Sequence, residues 1–203
     1  MAHAVLSLIL LLLWLPTYAG EFSANLRSND HVLLIRHAIA PGVGDPPNYS
    51  LSDCSTQRNL DARGRRQAVA LGDWLRRQGV QSAKVYSSVW CRCRDTAKLL
   101  GFDGDQVEPA LASFFDDMSQ AEKQNRQLEQ FIAGALRTKG DRTVILVTHH
   151  VNIFQFTGVN VASGALVLAR VDRNGKHLGH QILELDEPAE TPLNRRIPVG
   201  AEQ

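Results

Sequence analysis

Residues 31–38 have the sequence His-Val-Leu-Leu-Ile-Arg-His-Ala, in which an uninterrupted apolar run leads directly into an arginine and a histidine. A short apolar run without polar alternation is typical of a strand that is buried on both faces of a parallel sheet. Residues 143–147, Thr-Val-Ile-Leu-Val, form the strongest such run in the chain, and Thr148, His149 and His150 follow it. These two stretches predict the centre of a sheet, with polar groups at one of its edges.

Helical and strand-like patterns alternate along the rest of the chain. Helices are predicted from an Asp61 cap to about Gln78, from Arg92 to Leu100 and from Ser119 to Thr138. Further strands are predicted at residues 84–87, 106–108, 164–171 and 179–185, the last two joined by an Asn174-Gly175 turn. This order predicts an α/β protein, a three-layer α/β/α sandwich around a central, mostly parallel sheet, with residues 31–185 as one domain.

The two ends of the chain differ from this domain in composition. Residues 4–15 are almost wholly apolar and are followed by Thr-Tyr-Ala at 17–19. This run is shorter than the roughly 20 residues that span a bilayer, and it resembles the apolar region of a signal peptide. We therefore expect residues 1–19 to be a signal peptide of an exported, periplasmic or secreted protein without stable membrane association, and an uncleaved N-terminal anchor is the alternative. Residues 20–30 are predicted to be an extended lead-in, and residues 186–203 a loose C-terminal tail.

Charge and cysteine content narrow the classes of partner. The chain has 22 basic and 21 acidic residues, so no overall field favours nucleic acid, and any attraction for an anion must come from a local cluster.

In an exported protein a disulfide is allowed, and Cys54 with Cys91 is the pair we favour, leaving Cys93 free, although spacing alone does not establish connectivity. The cysteine and histidine spacing fits no compact zinc motif, and no metal or cofactor is expected.

Cationic and imidazole side chains follow the ends of several predicted strands. Arg36 and His37 come after the first strand, Arg92 follows the strand at 84–87, and His149 follows the strand at 143–147. Ligands of open α/β sheets bind beyond the carboxyl ends of the strands. Guanidinium groups match phosphate oxygens, and a neutral imidazole can attack phosphorus. The set therefore predicts phosphoryl-group chemistry that depends on charge stabilisation and positioning.

Four sequence motifs extend this prediction. Residues 33–38 resemble an Arg-His-Gly signature, and residues 59–68 resemble a Leu-Thr-x-x-Gly-x-x-Gln-Ala helix start. Residues 87–97 match a Ser-Ser-x-x-x-Arg-x-x-x-Thr-Ala pattern, and residues 147–149 match a segment that carries a second histidine. In this order the motifs are similar to those of the histidine phosphatase, or phosphoglycerate mutase-like, superfamily.

The resemblance implies a role for each matching residue. His37 would be phosphorylated and then hydrolysed, while Arg36, Arg92 and His149 hold the phosphoryl group. Arg94 stands at a variable position of the third motif and is expected on the surface or behind the site.

The identity of the proton donor stays open. Asp116 is the preferred acid, although Asp116 and Asp117 equally fit a solvated surface pair, and Glu108 is the reserve. His150 either serves as the donor or is a packed or solvated histidine.

Residues around the four motifs are expected to complete the site. Asn152 either orients His149 or caps the following helix, and Arg58 or Arg63 either touches substrate or is solvated. The loop at residues 38–59 is expected to shape the mouth of the site, with Tyr49, Cys54 and Arg58 available.

The expected activity is metal-independent hydrolysis of a phosphomonoester through a phosphohistidine. The chain is also similar to exported phosphatases of lipopolysaccharide core heptoses, which implies a small or sugar-type phosphorylated substrate. Two alternatives are a non-catalytic relative that binds a phosphorylated ligand, and an exported protein that binds a metal through His37, His149 and His150.

Overall fold

The computed structural model describes residues 18–103, 105–183 and 185. The predicted C-terminal tail at residues 186–203 lies outside the described residues, as does the predicted signal peptide apart from its last two residues. Both stay predictions.

Six strands form one sheet in the order β3-β2-β4-β1-β5-β6. Strands β1 to β4 are parallel, and the hairpin of β5 and β6 adds two antiparallel strands beside β1. The strands are β1 His31–Arg36, β2 Ala83–Ser87, β3 Asp105–Val107, β4 Thr143–Thr148, β5 Leu166–Val171 and β6 His177–Leu183. The predicted mostly parallel sheet is confirmed.

Helices cover both faces of this sheet. They are α1 Tyr18–Arg27, α2 Ala62–Arg77, α3 Cys91–Leu99, α4 Ala121–Thr138 and α5 His150–Thr157, with short 3-10 helices at Cys54–Thr56, Pro109–Leu111 and Met118–Gln120. Successive residues of β1 point to opposite faces: Leu34 packs in a core with α4 and α5, whereas Leu33 and Ile35 pack in a core with α1, α2 and α3. Burial on both faces explains why β1 and β4 are continuously apolar.

The prediction of an extended lead-in at residues 20–30 was wrong, because residues Tyr18–Arg27 are helical. Phe22 and Leu26, four residues apart, are both buried in the core beneath α2, and the ring of Phe22 lies 5.4 Å from that of Trp74. The Nζ of Lys139 also donates to the carbonyl oxygen of Arg27 at 2.7 Å, where the helix ends. Tertiary packing therefore gives a helical conformation to a segment whose polar composition does not show it.

The C-terminal hairpin is placed slightly earlier than predicted, since β6 begins at His177 rather than Gly179. Asp172 starts the turn, and its Oδ1 accepts hydrogen bonds from the backbone N–H groups of Asn174 and Lys176. Gly175 has φ of 81°, a conformation that glycine adopts without strain.

No helix within the described ranges combines the length and apolar character needed to cross a membrane.

Candidate active site

The carboxyl ends of three parallel strands meet at one edge of the sheet. Arg36 of β1 pairs with Thr148 of β4, and Ser87 of β2 pairs with Val147, so the residues that follow lie at the same level. A half-open cavity of about 300 Å³ lies at this edge. Seven residues singled out from the sequence line it: Arg36, His37, Arg58, Arg92, Asp116, His149 and His150.

His37 is held in the form that can act as a nucleophile. It is 3% exposed, and its Nδ1 lies 2.8 Å from the carbonyl oxygen of Ala38. Because a carbonyl only accepts, Nδ1 carries the proton and the lone pair lies on Nε2. Burial lowers the pKa of His37 to about 3, and the charges of Arg92, Arg58 and Arg36 act in the same direction. The ring is therefore neutral at physiological pH.

His149 lies beside His37, with 5.6 Å between the ring centroids. Its Nε2 lies 2.8 Å from the hydroxyl of Ser88, and its Nδ1 lies 3.5 Å from Nη2 of Arg92. Burial, and next the charge of Arg92, keeps the pKa of His149 well below its ordinary value. The two imidazole rings thus form one wall of the cavity, and both are neutral.

Arg36 and Arg92 supply positive charge next to these rings. Nη1 of Arg36 donates to the carbonyl oxygen of Val161 at 2.6 Å. Arg92 lies in the first turn of α3 and is 4% exposed. In each residue the Nε atom is buried and has no hydrogen-bond partner within the described residues. Both guanidinium groups therefore keep donor capacity for an anionic ligand.

The loop at residues 38–59 forms the opposite lip of the cavity, as expected. Arg58 holds this loop from within: its Nε donates to the carbonyl oxygen of Gly44 at 2.7 Å, and its Nη1 donates to that of Ala40. A disulfide joins Cys54 to Cys91, the favoured pair, and so links the loop to the start of α3. Arg58 thus lines the cavity and also fixes its edge.

Residues 32–120 match the sequence model of the Histidine phosphatase superfamily (branch 1). The matched segment comprises 89 of the 203 residues of the chain. The match includes His37 and Arg92, whereas His149 lies beyond it. No curated protein matches this chain significantly in sequence.

Solved structures of phosphatases share its fold at low identity. The protein histidine phosphatase SixA complexed with tungstate has a TM-score of 0.54 at 19% identity, covering 75% of this chain and 96% of SixA. A mycobacterial glucosyl-3-phosphoglycerate phosphatase in complex with VO3 has a TM-score of 0.51 at 17% identity, covering 69% and 92%. A putative alpha-ribazole-5'-P phosphatase from Escherichia coli has a TM-score of 0.51 at 18% identity, covering 77% and 96%. These similarities confirm the predicted fold class of this chain.

The carboxylates considered as proton donors differ in their position relative to the cavity. Asp116 lines the cavity, and its Oδ2 accepts a hydrogen bond from the hydroxyl of Tyr49 at 2.9 Å. Asp117 and Glu108 instead cap 3-10 helices, where they accept backbone N–H groups at 3.1 Å and 2.9 Å, and neither is among the lining residues. The position of Asp116 favours it over the other two, although its role stays a prediction.

His150 also lines the cavity, with its ring 5.9 Å from that of Phe115. Burial lowers the pKa of His150, and the charges of Arg36 and Arg58 lower it further. A neutral histidine is a poor proton donor, so the lowered pKa of His150 does not support it as the acid.

The remaining residues that the sequence suggested for the site lie outside the cavity wall. Asn152 is buried in α5 and donates from Nδ2 to the carbonyl oxygen of Ala112 at 2.9 Å, so it fixes the segment before Ser113 rather than His149. Arg63 and Arg94 are not among the lining residues. Cys93 is buried behind His149, and burial raises the pKa of its thiol to about 12.

Several lining residues were not identified from the sequence. They are Gly42, Val43, Gly44, Asp45, Trp90, Ser113 and Phe115. Asp45 was detectable only as the single charge in the Pro- and Gly-rich stretch at residues 41–47. Within the described residues, no group of three or more potential metal ligands is placed to hold an ion. This includes His37, His149 and His150, the three histidines considered as metal ligands.

Proposed function

We propose that this protein is a metal-independent phosphomonoesterase that forms a phosphohistidine at His37. The observation that carries the proposal is the state of His37, a neutral ring with its proton on Nδ1 and its Nε2 lone pair free of described partners. Two arginines and a second histidine line the same cavity. This combination suits a nucleophile that attacks a bound phosphoryl group.

In the first step a phosphomonoester binds with its non-bridging oxygens at Arg36 and Arg92. Nε2 of His37 attacks phosphorus, the bond to the leaving oxygen breaks, and Asp116 gives that oxygen a proton. In the second step water attacks the phosphohistidine, Asp116 takes up the proton of the water, and inorganic phosphate leaves. His149, fixed by Ser88, lies beside His37 and contacts the transferred group.

The assignment of Asp116 as the acid rests on its position at the cavity. The hydroxyl of Tyr49, which belongs to the loop at residues 38–59, orients the carboxyl group of Asp116. Proton transfer requires a group within hydrogen-bond reach of the leaving oxygen, and Asp116 is the predicted acid that lies at this mouth.

A small or sugar-type phosphate is the proposed substrate. The cavity of about 300 Å³ lies at the lower end of the volumes of small-molecule sites, and His37 is only 3% exposed in it. These dimensions favour a compact leaving group over a phosphorylated side chain on a folded protein surface. The Cys54–Cys91 disulfide is compatible with the proposed export of the protein.

The test is release of phosphate from a generic aryl phosphate by the purified protein in the presence of a chelator. We expect turnover that is inhibited by vanadate and lowered at least about 1,000-fold in His37→Asn. Full activity of His37→Asn would show that the nucleophile lies elsewhere. If phosphate raises the melting temperature while a panel of phosphomonoesters shows no turnover, the protein is a binder of phosphorylated ligands instead.

A further inference from the structure

Asp45 is a buried carboxylate within the candidate phosphate site. Its side chain is 4% exposed, although the residue belongs to a surface loop. Its two oxygens accept four hydrogen bonds. The donors are the backbone N–H of Arg58 at 2.9 Å, the indole Nε1 of Trp90 at 3.1 Å, and Nη1 of Arg92 at 2.9 Å and 3.0 Å. A buried carboxylate with this many hydrogen-bond partners is held rigidly in place.

The contacts of Arg92 are divided between its nitrogen atoms. Nη1 is taken up by the protein, since it donates to both oxygens of Asp45 and lies 3.5 Å from the carbonyl oxygen of Arg58. Nη2 lies 3.5 Å from Nδ1 of His149, and Nε has no partner within the described residues. Asp45 therefore fixes Nη1, whereas Nε keeps an unused donor and Nη2 has only the 3.5 Å contact with His149.

The same carboxylate connects two segments of chain that form the cavity. It belongs to the loop at residues 38–59, it binds the backbone of Arg58, and it binds Trp90 just before α3. The ring of Trp90 lies 5.2 Å from that of His149, edge to face. The hydrogen bonds of Asp45 thus join this loop to the start of α3 and orient Arg92 at the same time.

We propose that Asp45 is a positioning residue that holds Arg92 in the orientation required to bind the phosphoryl group. This inference rests on the proposed function, because it concerns the same phosphate site. The carboxylate acts through Arg92 and does not itself touch the substrate. The opposite role, in which Asp45 occupies the phosphate position and competes with the ligand, predicts the reverse effect on binding.

Tungstate binding to the full chain, measured by calorimetry, tests the proposal without requiring turnover. We expect Asp45→Asn to bind tungstate about tenfold more weakly or worse, because a charged hydrogen-bond partner of Arg92 is lost. Asp73→Asn, which breaks the exposed ion pair of Asp73 with Arg76 on α2, is the matched control and should bind like the wild type.

A double-mutant cycle separates positioning from a general loss of structure. In an Arg92→Gln background, Asp45→Asn should cause little further loss of affinity, since its effect passes through Arg92. Should Asp45→Asn fail to fold, Asp45→Glu keeps the charge, shifts the carboxylate by one methylene, and is expected to weaken tungstate binding in the same way.

Tighter tungstate binding by Asp45→Asn would show that Asp45 is a competitor of the ligand and would overturn the proposal. Unchanged affinity, or equal losses in both backgrounds of the cycle, would overturn it as well. A wild type that binds tungstate but releases no phosphate would refute the proposed enzymatic function and leave the positioning role of Asp45 to be decided by the binding data alone.

Discussion

The histidines of the cavity lose their protons more readily than exposed histidines because burial and nearby guanidinium groups disfavour the imidazolium form. For His37 these effects lower the pKa from 6.5 to about 3. The proposed attack needs a neutral ring, so protonation of His37 does not limit the reaction in mildly acidic solution. The same groups that would bind a phosphate anion thereby keep the nucleophile active.

The shifted pKa of His37 predicts that the protein loses stability in acid. Between pH 6.5 and pH 3 the unfolded state binds a proton at this residue and the folded state does not, so the free energy of unfolding falls as the pH falls. At pH 5 the contribution of His37 to this loss is about 2 kcal/mol. Urea unfolding of the wild type and of His37→Gln from pH 8 to pH 5 measures it.

In that comparison the two proteins should show parallel stability curves above pH 7.5, and His37→Gln should lose less stability below pH 6.5. Parallel curves over the whole range would mean that His37 titrates normally in the folded protein.

At the scale of elements, α2 fixes the chain directly after His37, the proposed nucleophile. Gly64 in its first turn lies so close to Ile39 that an added Cβ would be 1.9 Å from the carbonyl oxygen of that residue. Gln67, one turn later, accepts the N–H of Ile39 at 3.0 Å and donates to the carbonyl oxygen of Ser163 at 2.8 Å. Gly64 and Gln67, which belong to the motif at residues 59–68, therefore hold the segment after His37 against the sheet.

Gly64→Ala should consequently lower both stability and activity. We expect a loss of about 1–3 kcal/mol in the free energy of unfolding, because the backbone of Ile39 must move, together with reduced turnover of an aryl phosphate. Gly134→Ala in α4 is the control, since an added Cβ there meets nothing closer than 4.0 Å. It should leave activity unchanged and raise stability by up to about 1 kcal/mol. Equal effects of the two substitutions would contradict this role of Gly64.

The disulfide between the loop at residues 38–59 and α3 stabilises the protein by restricting the unfolded chain, and it also holds this loop in place. Cys54 and Cys91 are 37 residues apart, for which the chain-entropy model gives about 4 kcal/mol. We expect Cys54→Ser/Cys91→Ser to unfold at lower urea concentration and to have a raised KM, because the loop that carries Asp45 is released from α3.

A thiol reductant provides the control for that measurement. It should lower the stability of the wild type to that of the double variant and leave the double variant unchanged. If the reductant lowers the stability of both proteins, the group that it acts on is not the Cys54–Cys91 disulfide.

At the scale of the whole molecule, four distant stretches of chain supply the proposed catalytic residues, and the loop at residues 38–59 closes the cavity on the other side. The end of β1 supplies Arg36 and His37, the start of α3 supplies Arg92, and the end of β4 supplies His149, while the segment before α4 supplies Asp116. The net charge of +1 gives no overall attraction for anions, so the affinity for phosphate must arise from this local convergence.

The parts of the fold that burial determines could be predicted from the sequence. Strands β1 and β4 are buried on both faces and so consist of apolar residues, and the residues that follow them necessarily meet at one edge. Helix α1 was missed because its conformation depends on two residues, Phe22 and Leu26, that pack against distant elements. Asp45 was missed because its burial results from contacts with Arg58, Trp90 and Arg92, which no local periodicity reveals.

The central claim is that the phosphoryl group passes through His37, and trapping that intermediate tests it directly. The protein is mixed with an aryl phosphate, quenched in alkaline denaturant that preserves phosphohistidine, digested and analysed by mass spectrometry. We predict one phosphoryl group on the peptide that contains His37, and none in His37→Asn. A phosphoryl group on another residue, or continued turnover without any phosphorylated peptide, would contradict the account.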